Sequence, residues 1–146
     1  MVCTFFGHRD ALGLDERVLE NALREQIEGG ADQFYVGHQG EFDRMVFVCL
    51  QKLRERYPHI SVTVVLAYLT GKKSGAAVYG GCSIYPEGLE SVPPRFAIDK
   101  RNEWMIRQAD ICLCYVTSPG GGAHKFMKRA ERAGLTVINL GSKVSL

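Results

Sequence analysis

Short apolar, β-branched runs alternate along the chain with stretches whose apolar residues recur every three or four positions. Val2 to Phe6 is the first such run and predicts a strand, ending at Gly7-His8-Arg9. Over Asp15 to Glu28, the residues Val18, Leu19, Ala22, Leu23 and Ile27 share one helical face. Asp15 is placed to cap that helix and Gly29-Gly30 to end it. Gln33 to Val36 predicts a second strand, followed by Gly37-His38-Gln39-Gly40. Phe42, Met45, Val46, Cys49, Leu50 and Leu53 form a single stripe, so a helix runs there until Tyr57-Pro58 stops it. Ser61 to Ala67 is apolar and β-branched almost throughout, as a strand covered on both faces is.

The pattern then breaks. From about 68 to 96, Gly71, Gly75, Gly80, Gly81, Gly88, Pro86, Pro93 and Pro94 predict a long irregular segment, a feature uncommon in compact domains unless it serves function. A helix follows from about Asp99 to Ala109, a strand from Ile111 to Val116, and then Ser118-Pro119-Gly120-Gly121-Gly122. A last helix runs from about His124 to Ala133, ending at Gly134, and Thr136 to Leu140 is the final strand. No repeat or low-complexity tract interrupts this order. Alternating strand and helix predict an α/β chain: a Rossmann-like three-layer fold with a mostly parallel five-stranded sheet and helices on both faces. Right-handed crossovers place every strand-to-helix loop at one edge of such a sheet, where ligands bind.

Composition narrows this picture. The 146 residues suit one domain, spanning 1–146, and 46% hydrophobic with 23% charged residues supply a core without staples. The longest apolar run, Val64 to Leu69, is far short of the ~20 residues of a membrane-spanning helix. No basic leader precedes an apolar stretch at the N-terminus, so no signal peptide is expected. A net charge of +2 is too little to argue by itself for DNA or an acidic membrane, so nucleic acid is not the expected partner and no membrane is expected. Five scattered cysteines point to free thiols in a reducing, cytoplasmic setting. Cys112 and Cys114 share a strand face and read as small core residues, with no second pair at zinc-ligand spacing and no metal expected.

Glycines concentrate at two strand-to-helix loops, Gly37/Gly40 and Gly120/Gly121/Gly122, with Gly7 at a third. Lacking a Cβ, they let backbone N–H groups approach a ligand, and a helix start adds unpaired donors and partial positive charge. One terminus is worth only about 0.3–1 kcal/mol to an anion. Two termini with an arginine make a phosphate site, since each charged hydrogen bond adds roughly 1.5–3 kcal/mol. Neither loop continues as Gly-Lys-Ser/Thr, and neither has the G-x-G-x-x-G spacing. His8, His38 and His124 fall in these loops and read as hydrogen-bonding or stacking groups. Asp43, in the first turn after Gly40, is either a helix-start charge or an acceptor for a ribose hydroxyl or a water. Arg101, with Asn102 and Met105, opens the helix before the Cys112 strand and is either a solvated surface charge or, near the sheet edge, a bidentate contact to a phosphate. Tyr68, Tyr79 and Tyr85 either pack the long segment down or stack on a base.

These residues carry a resemblance. Thr4-Phe5-Phe6-Gly7-His8-Arg9, Gly37-His38-Gln39-Gly40-Glu41-Phe42-Asp43, Arg101-Asn102-Glu103-Trp104-Met105 and Gly120-Gly121-Gly122 resemble the YpsA-like branch of the SLOG superfamily. That superfamily includes the lonely-guy cytokinin-activating enzymes and DNA-processing protein A. The resemblance covers nearly the whole chain and implies a Rossmann-like nucleotide-ligand-binding domain. It also implies ligand contacts at Gly7, His8, Arg9, Gly37, His38, Gly40, Phe42, Asp43, Arg101, Asn102, Gly120, Gly121, Gly122 and His124. The lonely-guy enzymes cleave the N-glycosidic bond of nucleoside monophosphates and carry Pro-Gly-Gly-x-Gly-Thr-x-Glu. The counterpart here is Pro119-Gly120-Gly121-Gly122-Ala123-His124-Lys125-Phe126, so the glutamate position holds Phe126 while its arginine partner matches Arg101.

The expectation is therefore a domain that binds a small phosphorylated, nucleotide-like ligand (of ADP-ribose, NAD or nucleoside monophosphate type) as a sensor or regulatory unit. The alternatives are a nucleoside 5'-monophosphate phosphoribohydrolase, with Asp43 and Arg101 as its catalytic pair, and a single-strand nucleic-acid binder. The last would use Lys72, Lys73, Lys125, Lys128, Arg129 and Arg132. Homo-oligomers are common among domains of this size, so self-association stays open.

Overall fold

The computed structural model describes residues 1–68 and 83–143. Among the described residues there are six strands: β1 (Val2–Gly7), β2 (Gln33–Val36), β3 (Ser61–Val65), β4 (Ser83–Ile84), β5 (Ile111–Tyr115) and β6 (Thr136–Asn139). They form one sheet in the order β4-β3-β2-β1-β5-β6, and every pairing is parallel. The expected five-stranded, mostly parallel sheet is thus corrected to six strands and wholly parallel. The extra strand is only 2 residues long and pairs with β3 at Val64 and Val65. Two residues display no periodicity, so a pattern read along the chain passes over them.

The α-helices among the described residues are α1 (Glu16–Glu28), α2 (Glu41–Arg56), α3 (Ala97–Gln108) and α4 (Gly121–Arg132). Asp15 caps α1 as its position predicts, its Oδ1 accepting from the Arg17 N–H at 2.8 Å. The last helix begins at Gly121, ahead of the expected His124, because its glycines are themselves part of the first turn. α1 and α2 bury Leu19, Leu23, Phe42, Val46 and Leu50 against Phe5, Phe34, Val36 and Leu113 on one sheet face. α3 and α4 bury Met105, Ile106, Phe126 and Met127 against Phe6, Val65, Cys112 and Cys114 on the other. Alternate residues of β1 thus feed opposite layers, as strand geometry requires. Each fully buried large side chain contributes about 1.5–3 kcal/mol, and the α1/α2 layer buries more of them than the α3/α4 layer.

Cys112 and Cys114 do share a face, their sulfurs 3.3 Å apart, and both are fully buried. Of the long segment, 69–82 lies outside the described residues, and with it Gly71, Lys72, Lys73, Gly75, Tyr79, Gly80, Gly81 and Cys82. The rest is more ordered than its composition predicts. It holds β4 and two 3₁₀ turns, Leu89–Ser91 and Pro94–Phe96. Tyr68 and Tyr85 pack against the small cluster of Ala67, Leu89 and Ala97.

Candidate functional site

β1 lies between β2 and β5, so the chain leaves the middle of the sheet in one direction and returns in the other. The loops after β1 and β5 part at this switch and leave a crevice at the carboxyl edge of the sheet. A cleft of about 380 Å³ occupies it, within the range of small-molecule sites. Gly7, His8 and Arg9 come from the β1 loop, and Gln39 and Asp43 from the start of α2. Arg95, Asp99, Arg101 and Asn102 line the α3 side, and Gly122 and Ala123 the α4 side. Phe6, Met105 and Phe126 close the bottom with apolar surface.

Gln39 organises the inner end. Its backbone N–H donates to Asp43 Oδ2 at 3.0 Å, and its side-chain Oε1 accepts from Arg101 Nη2 at 2.8 Å. Arg101 also donates from Nη1 to the Val65 carbonyl and from Nε to Asn102 Oδ1, both at 2.8 Å. Two of these bonds fix α3 to the end of β3 and the loop after β2, the third stays within α3, and the residue is 2% exposed. Burial lowers the Arg101 guanidinium to about 10, with Asp43 opposing the shift, so it stays charged at neutral pH. Burial raises the Asp43 carboxyl to about 6, despite the opposing pull of Arg101 and of the Gln39 N–H. Asp43 is thus a carboxyl poised to exchange a proton in the physiological range at the wall of the cleft.

The two glycine-bearing helix starts prove to be different objects. Gly40 and Gly120 adopt nearly the same backbone conformation, φ 94°, ψ 177° and φ 85°, ψ 169°, a region open essentially to glycine alone. At α2 the space is filled: a Cβ on Gly40 would lie 2.6 Å from Arg9 Cα, and the Glu41 N–H donates to the Arg9 carbonyl at 2.7 Å. Gly37 is equally enclosed, since a Cβ there would meet Asp43 Oδ2 at 2.7 Å and Arg101 at 3.2 Å. At α4, a Cβ on Gly120, Gly121 or Gly122 would meet nothing within 4 Å, and all three residues are exposed. Neither helix has a side-chain cap. The protein's own carbonyl therefore occupies the α2 start, whereas the α4 start opens to the cleft at Gly122.

The remaining expected site residues divide in the same way. Gly7, His8, Arg9, Asp43, Arg101, Asn102 and Gly122 line the cleft together. His8 ties its two walls, its ring Nε2 accepting from the Thr117 N–H at 2.9 Å while its backbone N–H donates to the Tyr115 carbonyl. His38 stands behind the site, where its Nε2 accepts from the Ala67 N–H at 3.3 Å. Burial, then the nearby Arg101 charge, pushes His38 down to about 4, so the ring is neutral in the folded protein. Phe42 is fully buried and stacks on Tyr115, and its ring fills the space a Gly7 side chain would need. His124 is not among the cleft-lining residues. Gln39 and Arg95 line the cleft without having been singled out from sequence. Gln39 had a signal, a polar residue between the two loop glycines; Arg95, alone in a proline-rich stretch, had none.

Three of the four basic residues of α4 are paired: Lys125 with Asp99 at 2.9 Å, Arg129 with Glu103 at 2.7 Å and Lys128 with Glu131 at 3.6 Å, while Arg132 is exposed. Lys72 and Lys73 lie outside the described residues. Among the described residues no group of three His, Cys, Asp or Glu side chains is arranged to hold a metal. No helix among them is long and apolar enough to cross a membrane. No protein-family model matches the chain, and no curated protein matches it significantly.

Proposed function

We propose that the cleft binds a small phosphorylated, nucleotide-type ligand and that the protein acts through that binding, as a sensor or regulatory domain of the SLOG kind. The observation that carries the reading is the contrast between the two helix starts: the one at α2 is filled by the Arg9 carbonyl, and the one at α4 stands open beside cleft-lining arginines. A helix terminus contributes about 0.3–1 kcal/mol to an anion, and each charged hydrogen bond roughly 1.5–3 kcal/mol. One terminus with one or two arginine contacts therefore supplies about 2–7 kcal/mol before the cost of association, so contacts to the rest of the ligand have to supply the net affinity. Asp43 and Asn102, at the inner end, suit hydroxyl groups of a sugar.

Gly122 offers the cleanest test. It lines the cleft, a Cβ there meets nothing, and its φ is outside the positive range, unlike that of Gly121 at 79°. Gly122→Leu should fold as well as the parent and lose the thermal stabilisation that AMP, ADP-ribose, NAD or a cyclic nucleotide gives the parent protein. Ligand at a hundred times Kd stabilises by about 2.7 kcal/mol, enough to read as a shift of several degrees. An equal shift in the variant, or none in the parent across this panel, would count against the site.

One observation favours catalysis as a second reading. Phe126 is 1% exposed against Phe6 and supplies no acid, but Asp43 is a cleft carboxyl raised to about 6, suited to acid–base work on a glycosidic bond. Product analysis of the same AMP incubation decides it: free adenine that disappears in Asp43→Asn would replace the sensor reading.

A further inference from the structure

The sheet ends in two unlike edges. β4 is 2 residues long, and so short an edge offers little for another chain to pair with. β6 is 4 residues long and has β5 as its neighbour on one side; among the described residues nothing pairs with its other side. Two common protections of such an edge are missing, since Leu135-Thr136-Val137-Ile138-Asn139-Leu140 contains no charge and no proline. Successive residues of a strand turn their N–H and C=O groups to alternate sides. The Thr136 N–H donates inward to the Asp110 carbonyl at 3.0 Å, so both backbone groups of Val137 face outward. Beside this edge lies an open groove of about 480 Å³, lined by Met127, Glu131, Leu135, Val137 and Asn139. Leu135 and Val137 are half-buried there against the α3/α4 layer. Glu131 also meets Lys128, one turn earlier on α4, at 3.6 Å.

We propose that the protein self-associates through β6, antiparallel about a twofold axis at Val137, so that two sheets join into one. What a strand edge accepts is an extended backbone, and this edge is complementary to its own copy. Two Val137 residues placed antiparallel exchange both N–H···O=C bonds, each group meeting its equivalent in the other copy. The axis that pairs them stands perpendicular to the sheet. It therefore keeps α4 of both copies on one face, and the two grooves open into each other and close over Met127, Leu135 and Val137. The same reversal sets the Lys128-to-Glu131 order of one flank against its opposite, cation to carboxylate. The groove shares no lining residue with the cleft at the β1 and β5 loops, so the inference stands independently of the ligand reading.

Sedimentation equilibrium over a concentration series, on the parent protein, Val137→Pro and Val137→Ala, tests this. The parent should pass from monomer to dimer as concentration rises. Val137→Pro removes the outward N–H and no bond to β5, a place where an edge strand tolerates proline. It should weaken the dimer at least about tenfold, as the loss of two main-chain bonds predicts. Val137→Ala keeps that N–H and should remain dimeric; a loss as large as that of Val137→Pro would overturn main-chain pairing. Amide hydrogen exchange on the unaltered protein gives a second readout. The Val137 amide should exchange slowly in the dimer and fast in the dilute monomer, while the Ile138 amide, turned toward β5, is slow in both. If Val137→Pro melts well below the parent, this exchange measurement decides. A parent still monomeric at about 1 mM would overturn the proposal and leave the edge to a strand from another protein. A dimer undiminished in Val137→Pro, or one whose Val137 amide exchanges as fast as in the monomer, would overturn it in favour of another face.

Discussion

Asp43 carries the cost of a buried carboxyl beside the cleft. Its carboxyl is 9% exposed and is raised from 3.8 to about 6 chiefly by burial. Because the folded-state value is the higher one, the folded protein holds an extra proton between those limits. That contribution to stability is complete below 3.8 and is lost as pH rises through about 6, a difference on the order of 3 kcal/mol by pH 8. His38 runs the other way: its folded-state value is lowered from 6.5 to about 4, so its contribution is complete above 6.5 and lost as pH falls toward 4. The two slopes oppose each other in the same window, and the protein alone should show a shallow acid profile there. Asp43→Asn keeps the acceptor for the Gln39 N–H and removes the ionisation. Thermal melts should show the variant level with the parent near pH 4 and more stable at pH 8. A stability difference that is constant across that range would contradict the burial account of Asp43.

At the scale of elements, one glycine pattern serves two purposes. Gly37 and Gly40 make room for protein atoms, while Gly120, Gly121 and Gly122 leave space unfilled. Gly40→Ala should therefore destabilise the domain by about 1–3 kcal/mol in chemical denaturation, since its Cβ would meet Arg9 and its φ is 94°. Gly122→Ala should be neutral or stabilising by up to about 1 kcal/mol, because alanine is the better helix former. If both changes cost the same, the distinction between a filled and an open helix start is wrong. The sequence made both loops visible as glycine clusters between strand and helix. It did not reveal which was occupied, because the occupant is a backbone carbonyl at Arg9, and carbonyls have no sequence signature. The Phe42-to-Leu53 stripe of α2 was legible because half of its surface meets the sheet. Gln39 joins Asp43 to Arg101 through one backbone and one side-chain bond, and such bridges between distant segments leave no periodic trace.

The whole molecule explains why the site lies where it does. Five strands and four helices followed from apolar periodicity, since strands buried on both faces and helices buried on one write different spacings. The strand order then places the β1 and β5 loops at the reversal, with Gly7 opposite Tyr115 in register at its edge. Arg101 is the link between layers: from α3 it bonds the carboxyl end of β3 and the loop after β2, so both helical layers meet in the cleft wall. What periodicity could not supply was the short β4 strand, set by its pairing with β3, and the place of Arg95 on the cleft. The central claim is that the α4 start, not the α2 start, receives the anion. Amide chemical shifts followed through a titration with ADP test it directly. The account predicts saturable shifts at Gly121, Gly122 and Ala123, with the Glu41 amide, already bonded to Arg9, nearly unmoved. Shifts concentrated at the α2 start, or none at α4 while ADP binds, would contradict it.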